Sequence, residues 1–212
     1  PDAKPRQISF SRDGDKGGES AGAFSPDGQW VLFLATRGGV RTLYRLPLAG
    51  GEAQPLQIGK DKGGQLSAGW GGAKKDGALA AGGFAFSADG RHLALWADDP
   101  EPAALKARRE RKDDGYSHGD EPHRTFLYLI DPETGGARAV KLDGRFRAMR
   151  WSYDGADMLV TTDPGSDEVG PDATIWQVKP ADLAATRLDL PKTAASPAWL
   201  PGRTRLVYTD QC

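Results

Sequence analysis

Phe24-Ser25-Pro26-Asp27-Gly28 is the stretch that decides the fold, because it returns as Phe86-Ser87-Ala88-Asp89-Gly90 and as Trp151-Ser152-Tyr153-Asp154-Gly155. Phe10-Ser11-Arg12-Asp13-Gly14 has the same letters but not the sequel. Trp199-Leu200-Pro201-Gly202 is a degenerate copy, one residue shorter. The chemistry of the motif is that of a tight turn. Ser and Asp hydrogen-bond to the nearby main chain, Pro presets φ near −65°, and Gly accepts the left-handed conformation that a type I turn with a G1 bulge requires. A short apolar run follows each turn: Trp30–Leu34, His92–Trp96, Met158–Val160 and Leu206–Tyr208. Each motif therefore predicts a hairpin.

Downstream of the first three hairpins a second element recurs: Leu43-Tyr44-Arg45-Leu46, Leu127-Tyr128-Leu129-Ile130 and Ile175-Trp176-Gln177-Val178. These apolar runs with an aromatic second residue read as strands. Gly-rich or polar turns follow the first two, at Ala49–Glu52 and Glu133–Gly136. Last short strands are expected at Gln54–Leu56, Arg138–Leu142 and Thr186–Leu188. The unit thus has four strands. The step from Leu127 to Ser152 equals that from Ile175 to Leu200, which fixes one register. Against it, insertions are expected at about 59–83 and 98–124. A four-stranded antiparallel unit repeated at ~45 residues or more is the sequence pattern of β-propeller blades. The expected fold is all-β: about three blades plus partial ones, an incomplete propeller occupying residues 1–212 as part of one domain.

Composition agrees. Gly and Pro make about a fifth of the 212 residues, above the average of roughly 12% and unlike a helix bundle. The one stretch with helical character, Pro102–Glu110, lies inside the second insertion. A net charge of −1 gives no general attraction to nucleic acid or anionic membrane, and neither is expected as a partner. No apolar run approaches the ~20 residues of a spanning helix. The single Cys212 excludes an internal disulfide and a multi-cysteine zinc site. No cofactor or metal is expected. No address is legible, and a cytoplasmic setting is favoured over a periplasmic one.

Propellers close with about four to eight blades. Arg6–Phe10 reads as the outer strand of a preceding blade, so both ends fall inside the pattern. The expectation is a piece of a longer propeller protein. The other way to complete a ring is with further copies of the chain, a homo-oligomer.

Phe24-Ser25-Pro26-Asp27-Gly28-Gln29-Trp30-Val31-Leu32-Phe33 resembles the blade motif of two groups: the periplasmic Tol-system propeller and the propeller domain of the prolyl oligopeptidase family of serine peptidases. Within the second insertion and after it, Lys106–Gly115 and Pro122–Asp131 are similar to the acylaminoacyl-peptidase branch, with its charged stretch before a Leu-Tyr-x-Ile-Asp strand. The resemblance implies a bacterial parent with a C-terminal α/β-hydrolase domain that carries Ser, Asp and His. It implies that this chain screens and positions peptide substrates and holds no catalytic residue. The Tol resemblance implies instead a non-enzymatic propeller that binds a protein or peptide. An inactive peptidase relative would do the same.

Candidate sites follow. Arg108, Arg109 and Arg111 form a basic run suited to a peptide carboxylate, where Arg is the bidentate donor, and Asp113, Asp114, Asp120 and Glu121 balance it. Trp70 stands on a predicted loop and is a second candidate for substrate gating. His118, Asp120, Glu121 and His123 have no spacing that would converge them on a metal and read as a solvated loop. Lys60, Lys62, Lys74 and Lys75 lack the order of a phosphate-binding loop. Gly18-Glu19-Ser20-Ala21-Gly22 matches the nucleophile elbow of hydrolases, which needs a strand before it and a helix after it. A polar loop precedes it and a hairpin follows, so the match reads as coincidence. Trp30, Trp96, Trp151, Trp176 and Trp199 fall on or beside strands and are expected to pack between blades. Far-UV circular dichroism of the purified chain should show a strand-dominated spectrum; a mainly helical one would end the propeller reading.

Overall fold

The computed structural model describes residues 7, 18–37, 40–56, 58, 81–98, 111, 125–133, 135–163, 173–202 and 205–210. Among them are fourteen strands and no helix. In chain order they are β1 (Ser20–Phe24), β2 (Trp30–Arg37), β3 (Val40–Pro47), β4 (Gln54–Pro55), β5 (Ala81–Phe86), β6 (Leu93–Asp98), β7 (Thr125–Ile130), β8 (Ala137–Val140), β9 (Arg145–Trp151), β10 (Met158–Asp163), β11 (Thr174–Val178), β12 (Ala185–Arg187), β13 (Ala194–Trp199) and β14 (Leu206–Asp210). They form three four-stranded antiparallel meanders, β1-β2-β3-β4, β5-β6-β7-β8 and β9-β10-β11-β12, followed by the hairpin β13-β14. This is the all-β blade architecture that the repeat predicts. β5 begins at Ala81, so its first residues lie within the span 59–83 assigned to the first insertion. Phe10–Gly14, the rest of that insertion and nearly all of the second lie outside the described residues.

The turn motif explains why the hairpins form. In the second blade the Ser87 hydroxyl donates to Asp89 Oδ1 at 2.6 Å and accepts from the His92 amide at 3.0 Å. The Asp89 carboxylate also accepts from the Arg91 amide at 3.1 Å. Ser87 N–H reaches His92 O, and Gly90 N–H reaches Ser87 O. The first blade repeats the network on Ser25 and Asp27, the third on Ser152 and Asp154. All three serines are buried. A buried hydroxyl is tolerable because both its donor and its acceptor capacity are used. Gly28, Gly90 and Gly155 hold φ of 66°, 72° and 74°, the left-handed region expected of them.

Strand period then sorts the core. Successive side chains point to opposite faces. Leu93 and Leu95 join Trp30, Leu32, Leu34, Leu43, Tyr128 and Ile130 between blades one and two. Ala94, between them in sequence, joins Leu127, Leu129, Met158, Val160 and Val178 between blades two and three. Leu159 turns the other way, to Ile175 and Ala194 of the next interface. A strand covered on both faces needs a continuous apolar run, which is what Trp30–Leu34 and Met158–Val160 are. Full burial of each Leu or Val stabilises by about 1.5–3 kcal/mol relative to exposure.

Aromatic side chains join the blades, as expected of the five tryptophans, Trp199 included, which packs on Leu159 and Ile175 of the preceding blade. Trp30 meets Phe86 edge-on at 5.5 Å, and Trp151 stacks on His92 at 6.4 Å. The Trp151 indole N–H donates to Ala85 O across the interface at 3.1 Å. Trp96 stacks on Phe146 at 5.9 Å and lies over Gly82 and Gly83 of its own sheet; a Cβ at Gly83 would come within 2.3 Å of its ring. Trp176 packs into the second interface and donates to Thr162 Oγ1 at 2.9 Å. At the outer side, Arg138 donates to Pro180 O and Ala181 O of the next blade.

Ser87→Ala would leave the His92 amide and carbonyl without their side-chain partner. The expected loss is about 1–3 kcal/mol in a urea titration, the range for an unsatisfied buried polar group. The carboxyls of Asp27 and Asp89 both lie below the usual 3.8. For Asp27 the causes are the Ser25 hydrogen bond and the Gln29 amide. For Asp89 burial pulls upward, and the Ser87 hydroxyl, the Arg91 amide and the nearby charges of His92 and Arg91 outweigh it. A depressed carboxyl stabilises the fold above its unfolded pKa and loses that contribution as pH falls through its folded pKa. Stability should therefore fall as pH drops below about 3.8, and Asp89→Asn should flatten that dependence while lowering stability at neutral pH.

Candidate functional site

β1 approaches β5, and the turns of successive blades meet. A Cβ at Gly90 would lie 2.5 Å from Pro26, and one at Gly155 would lie 2.9 Å from Asp89. The sheets converge at this edge, so β1, β5, β9 and β13 are the inner strands of the propeller. Each of them carries a bulge. The register shifts between Ser20 and Ala23, between Ala81 and Gly83, at Arg147 between its neighbours, and between Ala195 and Ala198. A bulge frees backbone from the ladder and re-aims a side chain. Two of the bulges need left-handed backbone at a residue with a side chain, Ala21 at φ 55° and Ser196 at φ 51°. Beside the third, Gly144 has φ 89°, and a Cβ there would fall 2.1 Å from Asp163 O.

The inner strand of the third blade is the most charged. Arg145-Phe146-Arg147-Ala148-Met149-Arg150 places three guanidinium groups on one strand. Arg147, the bulged residue, is paired with Asp163 of β10. Arg150 is exposed and has no ion-pair partner among the described residues. Between this strand and β13 lies a cleft of about 200 Å³. Ala148, Met149 and Arg150 form one wall, Ala194–Pro197 the other, and Leu159 and Thr161 the base. The chemistry offered is one guanidinium, hydroxyls and main-chain groups, so the cleft can bind. Among the described lining residues no nucleophile stands beside a base.

The sequence candidates are placed as follows. Trp70, Arg108 and Arg109 lie outside the described residues, as do His118, Asp120, Glu121 and His123. Arg111 is described and exposed. Ser20 of the elbow-like stretch opens β1 and accepts a hydrogen bond from Arg41 at 2.9 Å. The residues after it form a strand, not a helix, so the elbow is absent, as its polar context implies. Among the described residues no group of three metal-ligating side chains converges, and no helix is long and apolar enough to cross a membrane. The cleft carries no mark in the apolar strands that follow each turn. The signal stood before the turn: arginines at 145, 147 and 150, leading directly into Trp151-Ser152.

No family model matches the chain, and comparison with curated proteins gives no match. Solved β-propeller structures do match it. The TolB structure from Acinetobacter baumannii aligns with a TM-score of 0.52 at 18% identity, over 95% of this chain and 39% of that one. An oligogalacturonate lyase in complex with manganese aligns at 0.53 and 15% identity, over 91% and 45% of the two chains. An acylaminoacyl peptidase in complex with a chloromethyl ketone aligns at 0.52 and 15% identity, over 86% and 26%. This chain thus spans less than half the length of each. At such identities the likeness establishes the β-propeller fold, and that fold serves unrelated functions.

Proposed function

We propose that this chain is the N-terminal propeller portion of a prolyl-oligopeptidase-like serine peptidase of the acylaminoacyl type. It gates and positions peptide substrates for a C-terminal α/β-hydrolase domain of the same parent and supplies no catalytic residue itself. The observation that carries the reading is the inner edge of the third blade, where Arg150 is exposed and unpaired among the described residues beside a small cleft. A guanidinium at the mouth of a propeller suits the carboxylate of a short peptide, in the bidentate manner that Lys cannot reproduce. The resemblance of Lys106–Gly115 and Pro122–Asp131 to the peptidase branch supports the same reading. Under it, Arg108, Arg109, Arg111 and Trp70 on the insertions are further residues that meet the peptide before it reaches the hydrolase domain.

A second reading, a non-enzymatic Tol-type or inactive peptidase-like propeller, has its own observation. Phe24 and Tyr153 are 66% and 81% exposed at the motif turns. Aromatic rings displayed on one rim suit a protein partner.

A fluorophosphonate probe, applied to the full-length gene product, separates the two. The peptidase reading expects covalent labelling of one serine outside this chain, suppressed by competing peptides. Absence of label from every part of the product would overturn it and leave the binding reading.

A further inference from the structure

The first two interfaces between successive sheets share a plan of ring contacts and turn contacts, and the third departs from it in both. At the first, Trp30 meets Phe86. At the second, His92 meets Trp151, and the Trp151 indole N–H finds Ala85 O. The residue equivalent to Trp30 and His92, five after the motif serine, is Asp157 in the third blade. No ring stands there for Trp199 to stack on. Trp199 is partly buried against Leu159 and Ile175, yet its indole N–H is enclosed and has no acceptor among the described residues. The turn contacts differ as well. Gly90 and Gly155 each press against the preceding turn, whereas Gly202 has nothing within 4 Å among the described residues, and Tyr153 of the preceding turn is 81% exposed. The cleft of about 200 Å³ opens between these same two sheets.

Its lining says what fits. β9 and β13 are edge strands among the described residues, so their outer main-chain groups have no ladder partner there. The bulge in β13 takes Ser196 and Pro197 out of the pairing with β14. Extended peptides bind sheet edges through such unpaired main-chain groups. Ala148, Ala194 and Ala195 keep the walls low enough for a backbone to enter. The volume lies below the ~300–1,000 Å³ of pockets for drug-sized ligands, so it takes the tip of a chain rather than a whole small molecule. The charged group at hand is the Arg150 guanidinium.

We infer that the cleft between β9 and β13 receives the C-terminal end of an extended peptide, with Arg150 pairing with its terminal carboxylate. This deepens the peptide-handling role proposed above and rests on it. It assigns Arg150 as the residue that tells a free C-terminus from a blocked or internal one.

The test is calorimetric titration of the chain with N-acetyl-trialanine bearing a free carboxylate and with the same peptide as its C-terminal amide. The free acid should bind at least about tenfold more tightly, since a charge-assisted bidentate pair is lost with the amide. Arg150→Gln should abolish the difference while circular dichroism stays unchanged. Arg147→Gln, which breaks only the exposed pair with Asp163, should preserve it. Equal affinity for acid and amide, no binding of either, or full discrimination by a folded Arg150→Gln variant would each overturn the assignment. Acetate displacing the peptide at equal concentration would overturn it too, by showing an anion site without peptide character. Fluorophosphonate labelling of the full-length product does not depend on Arg150. A labelled product with no acid-over-amide preference therefore removes this assignment and leaves the peptidase reading standing.

Discussion

Each buried motif serine carries the hydroxyl on which the structure turns. Ser25, Ser87 and Ser152 each bind an aspartate two residues on and an amide five residues on. That pair of bonds fixes where the hairpin reverses. The place of reversal fixes the register of the inner strand against the second strand. Register in turn decides which face every side chain occupies, because a slip of one residue moves a strand's whole apolar set to the other side. In this protein both sides are core. Leu95 and Ala94 belong to different interfaces, and exchanging them would overfill one and leave a void in the other. A polar constraint at the rim thus governs the apolar packing of two layers.

Contacts in the native structure are local within each meander, then between neighbouring meanders. Each meander is built from residues close in sequence, apart from the long segment between β6 and β7 in the second. Each sheet then packs on the one before it through an aromatic drawn from its own motif: Phe86 on Trp30, Trp151 on His92. Stability in such stacks is approximately a sum of unit terms and nearest-neighbour terms. A core substitution in the first blade should be felt by the second and scarcely by the third.

The fold was legible because turn chemistry is written in residue types. Ser-x-Asp-Gly can be read as a hydrogen-bond scheme without coordinates, and strands two and three of each blade are apolar enough to stand out. The inner strands were harder. β1 is Ser-Ala-Gly-Ala-Phe and β9 is Arg-Phe-Arg-Ala-Met-Arg-Trp, and neither has the alternation of a half-buried strand. Their bulges break period two, and their exposed edge removes the pressure for apolar side chains. The candidate site sits on those strands, so the pattern that revealed the fold passed over the place where binding chemistry is concentrated. The arginines were visible as letters. What placed them at one edge, next to Ser196 and Pro197 from far along the chain, was the stacking of sheets, which periodicity within a strand does not encode.

The glycine that ends each motif has a second effect, separate from its backbone freedom. Gly90 lies against Pro26 and Gly155 against Asp89 so closely that a methyl group at either would have to displace its neighbour. These contacts join the turns that follow the first strand of each sheet. The distance between turns there sets the angular pitch from one blade to the next, and a ring closes only when its pitches sum to a full circle. A bulkier residue at position 90 or 155 would act as a wedge at the hub and change the curvature of the whole array. The bare Cα of a turn glycine is in this sense a determinant of how many blades such a ring can hold.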